Sequence, residues 1–426
     1  MPRPRRRVVV LVLVGALIVA GCSAAGSPVG SAPTTQAQAT AITASPPPPR
    51  PTDWPTAAPT AALDLPTPAV TITPAPTAAP FPLAAGWWDD AVCYEVFVRS
   101  FYDSNGDGVG DLNGLIQKLD YINDGDPKTR TDLGATCVWL MPIAESPSYH
   151  GYDVVDYYQV DRDYGSNDDF KRLVVAAHQR GVKVLVDLVL NHTGRDHPWF
   201  QAALADPASP YRDWYLWSKD RPRYAGPWGQ PVWHRSPARD EYYYGIFWEG
   251  MPDLNYRNPA VTAEAHKISA FWLKDLGADG FRLDAVKHLV ENGSVQENTP
   301  ETIAWLRDYR TFLSQAASST FTVGEVNSGS LDVLAVYYPD QLDSYFEFNT
   351  GYRILSAADQ GAAGAYLAAV GEAYRRLPFQ RWAPFLTNHD QERAMSVLGG
   401  DVSKAKIAAT ALLTLPGVPF IYYGEE

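Results

Sequence analysis

The chain has 426 residues, 46% of them hydrophobic and 12% aromatic, enough to bury a sizeable core. Its 35 Lys and Arg against 48 Asp and Glu give a formal net charge of −13, which argues against nucleic acid as a partner. The 3 cysteines provide neither a disulfide framework nor a zinc spacing.

The first residues read as a processing signal. Arg3, Arg5, Arg6 and Arg7 precede an apolar run from Val8 to Ala20, too short for a dedicated membrane span. The run ends Val19-Ala20-Gly21-Cys22, which resembles a bacterial lipoprotein box. Residues 1–21 are therefore expected to be cleaved, with the Cys22 thiol acylated. That would tether the chain to the outer face of a bacterial cell membrane by lipid alone; a plain secretory peptide is the alternative. Cleavage removes four arginines and no acids, taking the formal charge from −13 to −17. Residues 22–85 are dominated by Pro, Thr, Ala and Ser, with few large apolar side chains, and read as a disordered tether.

From residue 86 onward, short β-branched runs alternate with longer amphipathic stretches, the pattern of repeated βα units. Strands are predicted near 92–98, 136–141, 182–188, 279–284, 321–325, 343–346, 383–387 and 418–422, with helices over 168–180 and 263–276. This suits an α/β fold, a TIM (β/α)8 barrel over 86–426, with one insertion at 193–257, rich in Trp, Tyr, Pro and Arg, between the third strand and its helix. Cys93 and Cys137 lie in apolar strand-like runs and are expected as buried free thiols rather than as a disulfide. Between the first two strands, Asp103 to Asp111 alternate oxygen-bearing and small residues, a pattern that curls around a hard cation such as calcium. It is not an EF-hand, whose twelfth position needs a carboxylate; here that position is Gly114.

Three carboxylates stand where short apolar runs end. Asp284 closes Gly280-Phe281-Arg282-Leu283, Glu325 closes Phe321-Thr322-Val323-Gly324, and Asp390 follows Phe385-Leu386-Thr387-Asn388-His389. Acidic side chains are costly to bury. Repeating one at successive strand ends points to a shared site, because in such a barrel strand ends converge on the face where active sites are built. Arg282, two residues before Asp284, shares its side of the strand, and its charge is expected to keep Asp284 ionised. Glu325, crowded by other carboxylates, is expected to have a raised pKa.

Five segments in order carry a resemblance to the α-amylase family of glycoside hydrolases. They are Asp187-Leu188-Val189-Leu190-Asn191-His192, Gly280 to His288, Val323-Gly324-Glu325-Val326, Phe385 to Asp390, and Met251-Pro252-Asp253-Leu254-Asn255 within the insertion. The last resembles the neopullulanase branch and forms between it and the oligo-1,6-glucosidases. The resemblance runs from about Trp87 to Glu426 and implies a retaining hydrolase of α-1,4-linked glucans and maltooligosaccharides. It makes Asp284 the nucleophile, Glu325 the acid and base, and Asp390 a holder of ring hydroxyls. His192 and His389 would donate to the sugar nearest the scissile bond, Tyr152 would stack beneath it, and Lys287 and His288 would meet the next sugar. Asp187 and Asn191 would support the loop and Arg282. The metal loop resembles one that binds calcium through Asp103, Asn105, Asp107 and Asp111 side chains and the Val109 carbonyl, with a second calcium beside Asn191 as a further option. Gly417 to Glu426 resembles the family's eighth strand, so the sequence is expected to be a fragment whose last helix and β-sandwich domain lie beyond it. Runners-up are an oligo-1,6-glucosidase or a trehalose-synthase-type transferase, and, from another class, a lipoprotein that binds glucans without turning them over.

Overall fold

The computed structural model describes residues 86–426; the expected signal peptide (1–21), Cys22 and the tether (22–85) lie outside the described residues. Eight parallel strands form one sheet: β1 (Cys93–Val96), β2 (Cys137–Leu140), β3 (Lys183–Leu188), β4 (Gly280–Leu283), β5 (Phe321–Gly324), β6 (Ser344–Glu347), β7 (Trp382–Pro384) and β8 (Phe420–Tyr422). Each pairs with its neighbour in sequence, and β8 returns to β1 with Cys93 opposite Phe420. The Phe385–Phe420 bridge and a Val418 N–H bond to the Trp382 carbonyl (3.1 Å) join the remaining edges, closing a TIM barrel. Every predicted strand is found, with bounds differing by a few residues.

Helices clothe the outside, among them α1 (Leu112–Gln117), α2 (Asn167–His178), α3 (Pro259–Ala270), α4 (Pro300–Ala316), α5 (Phe348–Gln360), α6 (Gly364–Arg376) and α7 (Val402–Leu413). Their starts follow from capping chemistry. Ser166 and Asp169 form a reciprocal box at α2, Thr299 caps α4 ahead of Pro300, and Asp401 caps α7. The helix expected over 263–276 begins earlier, at Pro259 behind the Asn258 cap, and its last turn widens into a π-turn at Phe271–Asp275.

Two-residue alternation along each strand sorts the core into two shells. Cys93, Trp139, Leu185, Val323, Phe346 and Phe420 fill the barrel interior. Tyr94, Val138, Val186, Phe281 and Tyr345 face the helices instead. Gly280 is required where β4 meets β5, since a Cβ there would lie 2.0 Å from the Phe321 carbonyl oxygen. One expectation fails in this layer. Cys93 and Cys137 are joined by a disulfide, not free, because the β1–β2 register sets them directly opposite, both inward, with Cα atoms 4.3 Å apart. A separation of 44 residues in sequence gave no sign of that register.

The segment between β3 and α3 leaves the barrel as an insertion. It holds a helix (Pro198–Ala205) and a three-stranded antiparallel sheet with Tyr242–Tyr244 between Trp217–Ser218 and Trp233–Arg235. Its two ends are joined by the His192–Asp253 bridge. Most of its tryptophans are packing: Trp199 lies edge-on to Trp214 at 4.8 Å, and Arg212 covers the Trp217 ring at 3.6 Å.

Candidate active site

The alternation that points Cys93, Leu185 and Phe321 inward carries on to the carboxyl ends of the strands, where the inward positions become Glu95, Asp187, Arg282, Asp284, Glu325 and His389. The barrel mouth is thus lined with charge directly above an apolar floor. Arg282 is 1% exposed and organises it. Its Nη1 donates to Asp187 (2.8 Å to Oδ1) and to Asp284 Oδ1 (2.7 Å), while Nη2 donates to Glu325 Oε2 (2.5 Å). The guanidinium carbon sits 5.2 Å from the centre of the Trp139 ring. Beyond Asp284 the backbone turns sharply through Ala285, at φ 48°, and the Ala285 N–H donates to Glu325 Oε2 at 3.3 Å. This turn delivers Lys287 and His288 to the rim of the same cleft.

The two carboxyls shift in the directions opposite to those the sequence suggests. Burial pushes Asp284 up to about 8; Arg282 opposes this, and Glu325 and Asp187 add to it. Burial raises Glu325 too, but Arg282, and then His389, outweigh it and hold Glu325 below the usual carboxylate range. The reason is geometric: Nη2 of Arg282 serves Glu325, whereas Nη1 is divided between Asp187 and Asp284.

The other predicted residues surround a cleft of about 510 Å³. Tyr152 comes from the loop after the Ala144–Glu145 strand and stacks on His389 at 5.6 Å. Its hydroxyl donates to Asp187 Oδ2 at 3.0 Å. Gly151 beside it has φ 83° and packs on Pro142 where a Cβ would lie 2.8 Å from its carbonyl oxygen. Lys287 bonds the Asn327 carbonyl (3.0 Å) and Glu297 (2.8 Å). His288 shares a hydrogen bond with the Gln296 carbonyl (2.9 Å), and burial pushes it down to about 4, leaving it neutral. His192 also lines the cleft and is pushed down to about 4 by burial, but its Nε2–H donates to the Tyr152 carbonyl at 3.0 Å, not toward open space. Asp390 is exposed at the rim, its backbone held by Asn388 Oδ1 at 3.1 Å.

Sequence reasoning missed three contributors. Glu95, 1% exposed, meets His389 Nδ1 at 2.7 Å. A carboxylate inside the apolar run of β1 was the signal that could have found it. From the insertion, Trp228 (60% exposed) stacks on Phe247 at 5.8 Å and stands edge-on to His288; no signal in the sequence separates these aromatics from the packing ones.

The acidic loop is curled by its own side-chain-to-backbone hydrogen bonds. Asp103 accepts N–H bonds from Asn105, Gly106 and Gly108, Asn105 from Asp107, and Asp107 from Val109, with Gly106 and Gly108 at positive φ. These hydrogen bonds hold Asp103 below the usual carboxylate range. Asp111 bonds Ser104 and caps α1 through the Gly114 N–H at 2.7 Å. Among the described residues no three His, Cys, Asp or Glu side chains converge as a metal cluster. Asn191 Oδ1 and Asp253 Oδ2 are buried without hydrogen-bond partners.

A family model described as alpha amylase, catalytic domain, matches residues 95–426. The chain is 43% identical over 345 residues to Alpha-amylase 3 of Dictyoglomus thermophilum, covering 80% of this chain and 64% of that one. It is 36% identical over 389 residues to the trehalose synthase/amylase TreS of Mycolicibacterium smegmatis, covering 81% and 64%. It thus spans 64% of the length of each of these two relatives. Among solved structures, the α-amylase from H. orenii superposes with a TM-score of 0.73 at 46% identity, covering 79% of this chain and 69% of that one.

Proposed function

The chain belongs to the α-amylase family of glycoside hydrolases, and from that premise we propose that it is a retaining hydrolase of α-1,4-linked glucans and maltooligosaccharides. The observation that carries this reading is Arg282 gripping Asp284 and Glu325 with two nitrogens of one guanidinium at the floor of the cleft. Retention needs two such carboxyl groups at one cleft, one nucleophilic and one that gives and takes a proton.

In this mechanism the Asp284 carboxylate attacks the anomeric carbon. The bond to the leaving oxygen breaks, and Glu325 gives that oxygen a proton. The glycosyl-enzyme is then opened by water, whose proton returns to Glu325 as Asp284 leaves. Asp390 and His389 hold ring hydroxyls over the Tyr152 ring, and Lys287 and His288 meet the sugar beyond the cut. Trp228, backed by Phe247, offers an apolar face to the same side. Water and sugar compete for one glycosyl-enzyme, and the similarity to a trehalose synthase/amylase favours glycosyl transfer as the second reading. The test is a panel of maltoheptaose, isomaltose, pullulan and maltose. Short maltooligosaccharides support the first reading. Isomaltose cleavage or trehalose from maltose supports the second, and binding without products supports a glucan-binding protein.

Calcium at Asp103, Asn105, Asp107, Asp111 and the Val109 carbonyl is proposed as a structural ion. Its support is the hard-oxygen chemistry of a loop already curled by its own N–H bonds. The unpartnered oxygens of Asn191 and Asp253 favour a second ion there. Lipid attachment at Cys22 on the outer face of the cell membrane is likewise proposed from Arg3 to Cys22. Its test is whether Cys22→Ser releases the protein from membranes.

A further inference from the structure

We propose that Glu95 is a positioning residue for hydrolysis: it holds His389 as a doubly protonated imidazolium, fixing the Nε2–H as the donor that meets the Tyr152 hydroxyl at the wall of the cleft. This rests on the hydrolase reading above.

The argument is a count of hydrogens. His389 Nδ1 lies 2.7 Å from Glu95 Oε1, and a carboxylate accepts, so Nδ1 carries a hydrogen. His389 Nε2 lies 2.7 Å from the Tyr152 hydroxyl oxygen. Tyr152 has a single hydroxyl hydrogen, and it points to Asp187 Oδ2 at 3.0 Å, while Arg282 Nη1 donates to the Tyr152 hydroxyl oxygen at 3.3 Å. Nε2 must then be the donor to Tyr152. With Glu95 ionised, both ring nitrogens carry hydrogen and the ring is a cation.

The surroundings agree. Asp390 from the loop after β7 stands 3.5 Å from Nε2, and Asp187 of β3 and Glu325 at the end of β5 add negative charge; Arg282 of β4 opposes them. Near Glu95 lie Tyr422 of β8 and Glu425. Burial on its own would drive His389 down, but the hydrogen bond and charge of Glu95 reverse this and lift it to about 9. Burial lifts Glu95 above its ordinary range while His389 draws it down.

A purely structural role does not explain the pair. Replacing a buried ion pair with apolar residues is often neutral or stabilising, so fold stability alone gives little reason for a carboxylate here. A carboxylate behind a working imidazole, by contrast, fixes its tautomer and orientation. With a neutral partner at position 95, Nε2 would lose its hydrogen at neutral pH and turn from donor to acceptor toward the Tyr152 hydroxyl, unsettling the ring and tyrosine that line the cleft.

The experiment is imidazole ¹H–¹⁵N NMR on the full chain between pH 5.5 and 9.5, with His389→Gln used to assign the signal, alongside kcat/KM for maltoheptaose. His389 is expected to be doubly protonated at pH 7.5 in the wild-type chain and neutral in Glu95→Gln. The ratio of kcat/KM at pH 5.5 to that at pH 7.5 should rise about tenfold in Glu95→Gln, with Glu95→Asp restoring most of the wild-type profile. A neutral His389 at pH 7.5 in the wild-type chain overturns the proposal, even where Glu95→Gln fails to fold. So does an unchanged His389 titration in Glu95→Gln. A wild-type chain that cuts no glucan while keeping the imidazolium instead overturns the hydrolase reading, and with it the role given to Glu95, leaving only the ion pair.

Discussion

Arg282 meets three carboxylates with two nitrogens, and the division is unequal: Nη2 serves Glu325 alone, while Nη1 is shared by Asp187 and Asp284. The pair titrates as a unit, so its upper step belongs to the cleft as a whole. As pH rises through about 8 the last proton leaves, no acid remains for the leaving oxygen, and kcat/KM should fall about tenfold per further unit. A rate for maltoheptaose that stays level to pH 9.5 contradicts this assignment. Arg282→Lys keeps the charge but replaces the planar fork with one ammonium, which cannot hold Asp187, Asp284 and Glu325 in this arrangement. Its kcat should drop by about a hundredfold or more, with the pH limb displaced. An Arg282→Lys enzyme with wild-type kcat would remove the guanidinium from its central place.

The strands were legible because the alternation that builds them also hides one face and exposes the other. Arg282 and Asp284, or Val323 and Glu325, share a side whatever their neighbours do. What depends on register between strands was not legible. Cys93 faces Cys137 only because β1 and β2 pair without offset, and Glu95 finds His389 only because β1 and β7 meet across the barrel mouth. The lowered pKa of Glu325 escaped for the same reason: the sequence places Arg282 beside Asp284 but does not say which nitrogen reaches across to β5. The disulfide gives a prediction at this scale. Replacing both cysteines with alanine should cost about 2–4 kcal/mol, seen as an earlier denaturant midpoint, and non-reducing peptide mapping should join the two segments. Free thiols at both positions in the purified protein contradict the bond. In the insertion, Trp228→Ala should raise KM for maltoheptaose several-fold while leaving a short aryl glucoside almost unaffected, because the exposed indole lies on the Lys287–His288 side of the cleft. Equal losses on both substrates place Trp228 in the general architecture of the insertion.

Across the whole molecule, an apolar barrel interior supports a charged mouth, and the loops between strands and helices carry what the strands do not. The acidic loop between β1 and α1 links the proposed ion to stability: a cation bound only by the folded chain stabilises it by mass action. Millimolar calcium should therefore raise Tm by several degrees over the same protein with a chelator, and Asp103→Ala should remove the loop's share of that difference. A Tm indifferent to chelator contradicts the ion at both loci. The central claim is that Asp284 forms a glycosyl-enzyme and Glu325 serves as its acid and base. Its most direct test is ¹H NMR of the reducing ends released from maltoheptaose in the first minutes, for the wild-type chain and Asp284→Ala. The account predicts new ends that begin in the α configuration and mutarotate later, with turnover lost by at least about a thousandfold in Asp284→Ala. New ends that begin as β, or an Asp284→Ala chain that still releases them, would contradict it.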